Sequence, residues 1–312
     1  MTRPVQLYCW HFMSYPYLPA DFDERYETGW VTVPNRLWDA ERSRGLYQEY
    51  IDQLAYADEI GFDGMVLNEH HQNIYGLMPS PNLIAAALSQ RTKRGKIVIL
   101  GNLLPLHLNP LRMAEEYAML DNMSDGRLIA GFAPGSGPET FNYDVPSAPS
   151  REQFWEAVDL IHRAWTEDGP FAWEGRHYPL RYVNPWPRPT QQPHPPVWIP
   201  SSRSTETLVN IAKRGYCYFL SSRSHGSETA KSQAQFAKVL EEPGRPLRSL
   251  QDGYPHVRPC RRHRQRRRRT KPRKASGTSS RTASRDTCGA KAACSPPGRA
   301  FPTFPRPNSA TI

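Results

Sequence analysis

Apolar and polar positions follow two alternating rhythms through most of this chain. From Leu46 to Ile60 the apolar residues recur at helical spacing (Ile51, Leu54, Ala55, Ala57), and Gly61 ends the segment. A compact apolar run follows, Phe62, Met65, Val66 and Leu67, of the length and density of a strand buried on both faces. The pair then repeats. Helices are predicted at Pro81–Arg91 and Pro110–Met123, each with proline at its start, and strands at Lys96–Leu104 and Arg127–Ala133. A polar helix over Arg151–Thr166 leads to a small hairpin at Phe171–Tyr178, turning around Glu174 and Gly175. Beyond the proline-rich connector Asn184–Pro196 come a strand at Val197–Ile199, a helix at Thr205–Lys213 and a strand at Tyr216–Leu220. Val5–Phe12 reads as the first strand of the series.

The connections are unequal. Helix-to-strand turns are short, at Gly61, Gly126 and Gly215, while strand-to-helix loops are long. Elaborated loops on one face suit a TIM-like (β/α) barrel better than an open two-sided sheet. Residues 14–45 form the longest excursion, rich in proline, aspartate and aromatics including Trp30 and Trp38, and read as a lid over the body. No GxGxxG follows the first strand, so a dinucleotide-binding Rossmann unit has no support.

Within one residue of Leu67 the chain changes to Asn68, Glu69, His70 and His71. A buried parallel strand ending in amide and ionisable groups delivers them to the carboxyl-end rim of the sheet, where α/β proteins bind ligands. A lone histidine there is more often a satisfied structural group. Two in succession after a carboxylate point to a site.

Composition changes the picture in one respect. The formal charge is +10, but residues 245–312 carry 18 Lys and Arg against Asp252 and Asp286. The first 244 residues therefore hold 22 against 28, or −6, an ordinary slightly acidic body. Five cysteines (Cys9, Cys217, Cys260, Cys288, Cys294) with no CxxC pair indicate neither a disulfide framework nor a zinc site. The longest apolar run, Ile97–Leu108, is interrupted by Asn102, Pro105 and His107 and is too short to span a bilayer, so a cytoplasmic protein without membrane attachment is expected.

Four blocks in order, GFDGMVLNEHHQN, PSPNLIAAALSQRT, ILGNLLPLHLNPLRMAEEYAMLDNMSDGRLIAGF and VWIPSSRSTETLVNIAKRG, resemble the bacterial-luciferase-like flavin-dependent monooxygenases over about residues 3–240. The resemblance implies a TIM-like barrel that binds reduced FMN from a separate flavin reductase and uses O2 on a small organic substrate. Some relatives use the deazaflavin F420 instead. It makes His70 the catalytic histidine with His71 as a second catalytic candidate, counts Asn68 and Glu69 among the cofactor-binding residues, and places Gly101 and Asn102 against the flavin ring. A cis non-proline bond is expected at Gly101 or Asn102. Ser204, Thr205 and Thr207, opening a helix, are placed at the cofactor phosphate, although Ser204 also reads as a plain N-cap. The resemblance further implies a homodimer through helices of the second and third units.

Two departures stand out. Luciferase has a phosphate-binding arginine after its fourth strand, and Pro134 occupies that place, which shifts the role to the backbone at Gly135–Gly137 or to Arg203 and weakens the choice of FMN over F420. From about residue 244 the apolar period disappears into Arg, Pro, Ser, Ala and Gly. The expectation is a catalytic unit over 1–243 with about six of eight barrel strands, and a disordered tail over 244–312. A frame shift in a GC-rich gene would yield such a tail. Loss of two strands would leave two sheet edges unpaired and impair folding and turnover. The alternative of a nucleic-acid-binding arm at Arg261–Lys274 lacks aromatic stacking partners.

Overall fold

A computed structural model describes residues 5–135, 137–201, 204–220 and 226–241, with the backbone alone for 147–149, 226–229 and 241. All of them belong to one compact unit, Met1–Arg262. The predicted tail beyond 243 lies outside the described residues.

The chain opens with strand β1 (Tyr8–Trp10), then the insert with its single helical turn α1 (Phe22–Arg25), then α2 (Leu46–Glu59) and β2 (Gly64–Leu67). Next come α3 (Pro81–Arg91), β3 (Lys96–Ile99), the two-residue strand β4 (Asn102–Leu103), α4 (Pro110–Met123) and β5 (Leu128–Ala133). Helices α5 (Gly137–Asn142) and α6 (Ser147–Thr166) precede the hairpin β6 (Phe171–Glu174) and β7 (Pro179–Val183). Strand β8 (Val197–Ser201), α7 (Thr205–Arg214), β9 (Cys217–Leu220) and α8 (Gly226–Glu241) complete the described elements.

Six strands pair in the order β1-β2-β3-β5-β8-β9, every neighbouring pair parallel, with β4 also pairing with β5. This is the incomplete TIM-like barrel expected, with six strands of about eight among the described residues. The period of two along each strand sorts side chains between two cores. Met65, Leu67, Ile97, Ile99, Leu128, Phe132, Val197 and Ile199 face the helix layer, while Val66, Val98, Ile129, Trp198 and Phe219 form the inner cluster. Between strands and helices, Trp165 of α6 donates to the Ala114 carbonyl of α4 at 2.9 Å and packs edge-on to Tyr117. Proline starts α3 and α4, where its missing N–H has no intrahelical partner to lose.

The short helix-to-strand turns are as predicted. Gly61 and Gly215 have φ of +98° and +67°, the left-handed region that glycine reaches without a Cβ penalty. At this amino-terminal end of the strands, Asp58 accepts backbone N–H groups of Lys93 and Gly95, and Arg127 binds the carbonyls of Ser89, Thr92, Gly95 and Ser124.

Several boundaries differ from the sequence reading. The first strand is shorter than Val5–Phe12, since Val5 and Leu7 are exposed and pairing with β2 runs only from Tyr8 to Trp10. The third strand is two pieces rather than one, broken at a cis Leu100–Gly101 peptide. The hairpin turn is longer than a turn at Glu174 and Gly175, because Glu156 of α6 holds the N–H groups of His177 and Tyr178 at 3.1 and 2.9 Å. Helices α5 and α8 were not anticipated. Among the described residues no helix is long and apolar enough to cross a membrane.

Candidate active site

Because all six strands run parallel, their carboxyl ends share one rim. Strand β2 brings Asn68 to His71 there, the β3–β4 break brings Gly101 and Asn102, β5 brings Gly135, and β8 ends three residues before Ser204. Direct contacts join the first two groups. Glu69 Oε2 accepts from Asn102 Nδ2 at 2.6 Å and from the Leu103 N–H at 3.1 Å, so the end of β2 is tied to β4.

Glu69 is 2% exposed and is the electrostatic centre of the rim. His71 Nε2 lies 2.7 Å from its Oε1, and His107 Nε2 lies 3.5 Å from the same oxygen, an ion-pair distance outside hydrogen-bond geometry. Burial pushes the carboxyl up, but His107, His71 and Asn102 outweigh it and hold the pKa at about 2. Beneath it, Tyr117 donates to the Gly131 carbonyl at 2.7 Å. Burial first, and the Glu69 charge second, push that phenol well above its ordinary value, so it stays neutral.

The two histidines differ. His70 is partly exposed; its Nδ1 is 2.7 Å from Oε1 of Glu139, itself 1% exposed, and the rings of Trp30 and Tyr75 meet it edge-to-face at 5.1 Å each. His71 is buried, with Glu69 on Nε2 and the Tyr143 hydroxyl 2.9 Å from Nδ1. The insert reaches the site through Trp30, which stacks on Tyr75 at 4.1 Å, and it is tied to the 72–78 loop by Ser14 to the Tyr75 carbonyl and Tyr15 to the Ile74 carbonyl.

Three buried atoms on this rim have no hydrogen-bond partner, His107 Nε2 and one from each of two asparagines. Trp10 Nε1 donates to Asn68 Oδ1 at 3.3 Å, which fixes that amide and leaves its Nδ2 donor unpaired. Glu69 fixes the Asn102 amide in turn and leaves Oδ1 as an unpaired acceptor. A flavin ring carries both carbonyl acceptors and an N–H donor, so its polar edge fits this donor and acceptor set. Gly101 meets the backbone of Gly131 so closely that an added Cβ would lie 2.6 Å from it.

Ser204 caps α7, accepting the Thr207 N–H at 3.4 Å, and the exposed Thr205 hydroxyl accepts from Gln235 at 2.8 Å. Gly135, with φ of +89°, is separated from the end of β5 by Pro134. Ser136 and Arg203 lie outside the described residues. Sequence reasoning missed Glu139, His107 and Tyr143. Only the charge of Glu139 beside a glycine-rich loop gave any hint.

A curled parallel α/β sheet with its ionisable groups gathered at the carboxyl-end rim defines a barrel-type ligand-binding protein with the layout of an enzyme. Residues 28–286 match the luciferase-like monooxygenase family, and the chain belongs to it. The match begins later than residue 3 and runs past residue 240, where the block resemblance ends. The y4wF protein of Sinorhizobium fredii is 36% identical over 169 residues, 52% of this chain and 48% of its own length. The oxygenase component of a flavin-dependent trigonelline monooxygenase from Acinetobacter baylyi is 29% identical over 167 residues, covering 53% and 46%. The solved monooxygenase RslO1 of Streptomyces bottropensis superposes with a TM-score of 0.59 at 28% identity, covering 64% of this chain and 60% of that one. The chain spans about half the length of the curated relatives it matches.

Proposed function

We propose that this chain is the oxygenase of a two-component flavin monooxygenase: it takes reduced FMN from a separate reductase and uses O2 to oxygenate a small organic substrate. Family membership and the similarity to a named oxygenase component support the reading. The observation that carries it is the convergence of His70, Glu69, Gly101 and Asn102 on one rim, joined by hydrogen bonds that cross from β2 to β4 and α5. Reduced FMN, when bound, supplies the electrons that activate O2.

The chain's own residues do the rest. Asn68 and Asn102 offer the unpaired donor and acceptor for the ring, with the Gly101 backbone beside them. The N-terminus of α7 at Ser204, Thr205 and Thr207, with the Gly135 backbone, takes the phosphate. Glu69 stays ionised and orients Asn102, while His71 holds Glu69 in place. His70 carries a proton to or from the reacting groups at its Nε2. The 14–45 insert, reaching the site through Trp30, excludes water as a lid. A homodimer through α3 and α4 belongs to the same proposal, and Leu83 and Met119 are exposed on those helices.

Anaerobic titration of the purified chain with FMNH2, with reduced F420 and with labelled RNA tests the reading. We expect FMNH2 to bind. His70→Ala should retain that binding while the oxygen-dependent reaction slows by about 100-fold or more. Binding of F420 with FMNH2 left unbound would replace the cofactor, and retention of RNA alone would favour the basic-tail alternative.

A further inference from the structure

The sequence drew attention to His70 and left Glu139, 69 positions away, unremarked. Yet Glu139 is 1% exposed, and a carboxylate is buried to that extent only where hydrogen bonds replace its water. Its Oε1 lies 2.7 Å from His70 Nδ1, the length of a charge-assisted bond. An ionised carboxylate can only accept, so Nδ1 must carry the proton and the neutral ring keeps its lone pair on Nε2. Nε2 makes no hydrogen bond among the described residues.

The ring is also held in one orientation. Trp30 and Tyr75 meet it edge-to-face at interplanar angles of 83° and 74°. Gly76 lies close beside it, so that an added Cβ there would come within 3.1 Å of both Cβ and Cδ2 of His70. The other titratable groups around His70 are Tyr75, on the 72–78 loop, and His71, whose ring turns away to Glu69 and Tyr143.

We propose that Glu139 is the positioning residue of His70: it fixes the Nδ1–H tautomer and keeps Nε2 as the proton acceptor at the rim. The inference rests on the flavin-oxygenase reading for its purpose, though not for its geometry. A base held in one tautomer by a buried carboxylate is the arrangement that lets an imidazole take a proton and return it at a single atom. If Glu139 were protonated instead, it would donate to Nδ1 and force the opposite tautomer.

The test uses the full chain without flavin, labelled with 15N-histidine, with His70→Gln to assign the signal. In the neutral ring we expect Nδ1–H. In Glu139→Ala we expect a shift to the Nε2–H form that a free histidine side chain favours, and in Glu139→Gln the carbonyl acceptor should keep Nδ1–H. In Glu139→Ala the reaction of the FMNH2 complex with O2 should slow about 100-fold, with FMNH2 affinity within about twofold. Should Glu139→Ala fail to melt cooperatively, the wild-type tautomer and Glu139→Gln still decide. An Nε2–H tautomer in the wild type, or a tautomer indifferent to Glu139→Ala, overturns the proposal. A tautomer that follows Glu139 in a chain inert toward FMNH2 would keep the positioning role and remove the monooxygenase reading.

Discussion

Glu69 shows how one side chain at a strand end organises a site. Its charge is buried, and it stays charged because an asparagine, a backbone N–H and a histidine bond to it while a second histidine lies at ion-pair distance. Glu69→Gln should therefore destabilise the fold by about 2 kcal/mol, read from urea melts, as one acceptor oxygen becomes a donor facing donors. The pH dependence follows from the lowered pKa. Its folded value of about 2 lies below the value near 4.3 expected in the unfolded chain. The contribution is present in full above about pH 4.3 and is lost as pH falls from there toward 2. Urea midpoints across that range should fall more steeply in the wild type than in Glu69→Gln. At this scale the sequence was informative where polarity changed abruptly, as at Leu67–Asn68. It offered only the charge of Glu139 beside a glycine-rich loop, because the importance of that residue comes from a contact made across 69 residues.

Among the elements, the break between β3 and β4 decides the shape of the rim. There the chain passes over β5 at contact distance, which needs glycine on both sides. A Cβ at Gly131 would lie 2.1 Å from the Ile99 carbonyl oxygen, and one at Gly101 would meet the Gly131 backbone. Neither neighbour is the end of a flexible side chain. Gly131→Ala should therefore cost about 3 kcal/mol or more in thermal or urea unfolding, as overpacking against backbone does. Gly215→Ala should cost only about 1 kcal/mol, because nothing lies within 4 Å and the penalty is φ alone. The helices and strands themselves were legible from apolar period, proline starts and glycine stops. The cis peptide at Leu100–Gly101 was expected from the resemblance, while the division of Lys96–Leu104 into two strands was not, although Gly101 and Asn102 interrupt its apolar run.

For the molecule as a whole, the question is how six strands hold a curled shape. Strands β1 and β9 are the two ends of the pairing order, yet Trp10 meets Phe219 edge-on at 5.5 Å and Tyr8 meets Trp198 at 5.4 Å. Side chains thus span the interior where backbone pairing stops among the described residues. Phe219→Ala, at a position 2% exposed, should lower stability by about 3 kcal/mol and loosen the curl. A fall in melting temperature together with loss of FMNH2 binding would show that interior and rim are coupled. Binding unchanged at full occupancy would show the rim to be independent of the closure.

The order of local decisions was set by the amino-acid sequence alone: which segments are helix or strand, that the strands are buried on both faces, and that a carboxylate and two histidines follow the second of them. Those are short-range properties, carried by period, glycine and proline within a dozen residues. Tertiary structure alone decided that Glu139 rather than a neighbour faces His70, that Gly101 crosses Gly131, and that Trp10 and Phe219 touch. Each depends on how strands far apart in the chain are brought side by side, and no local pattern records that distance.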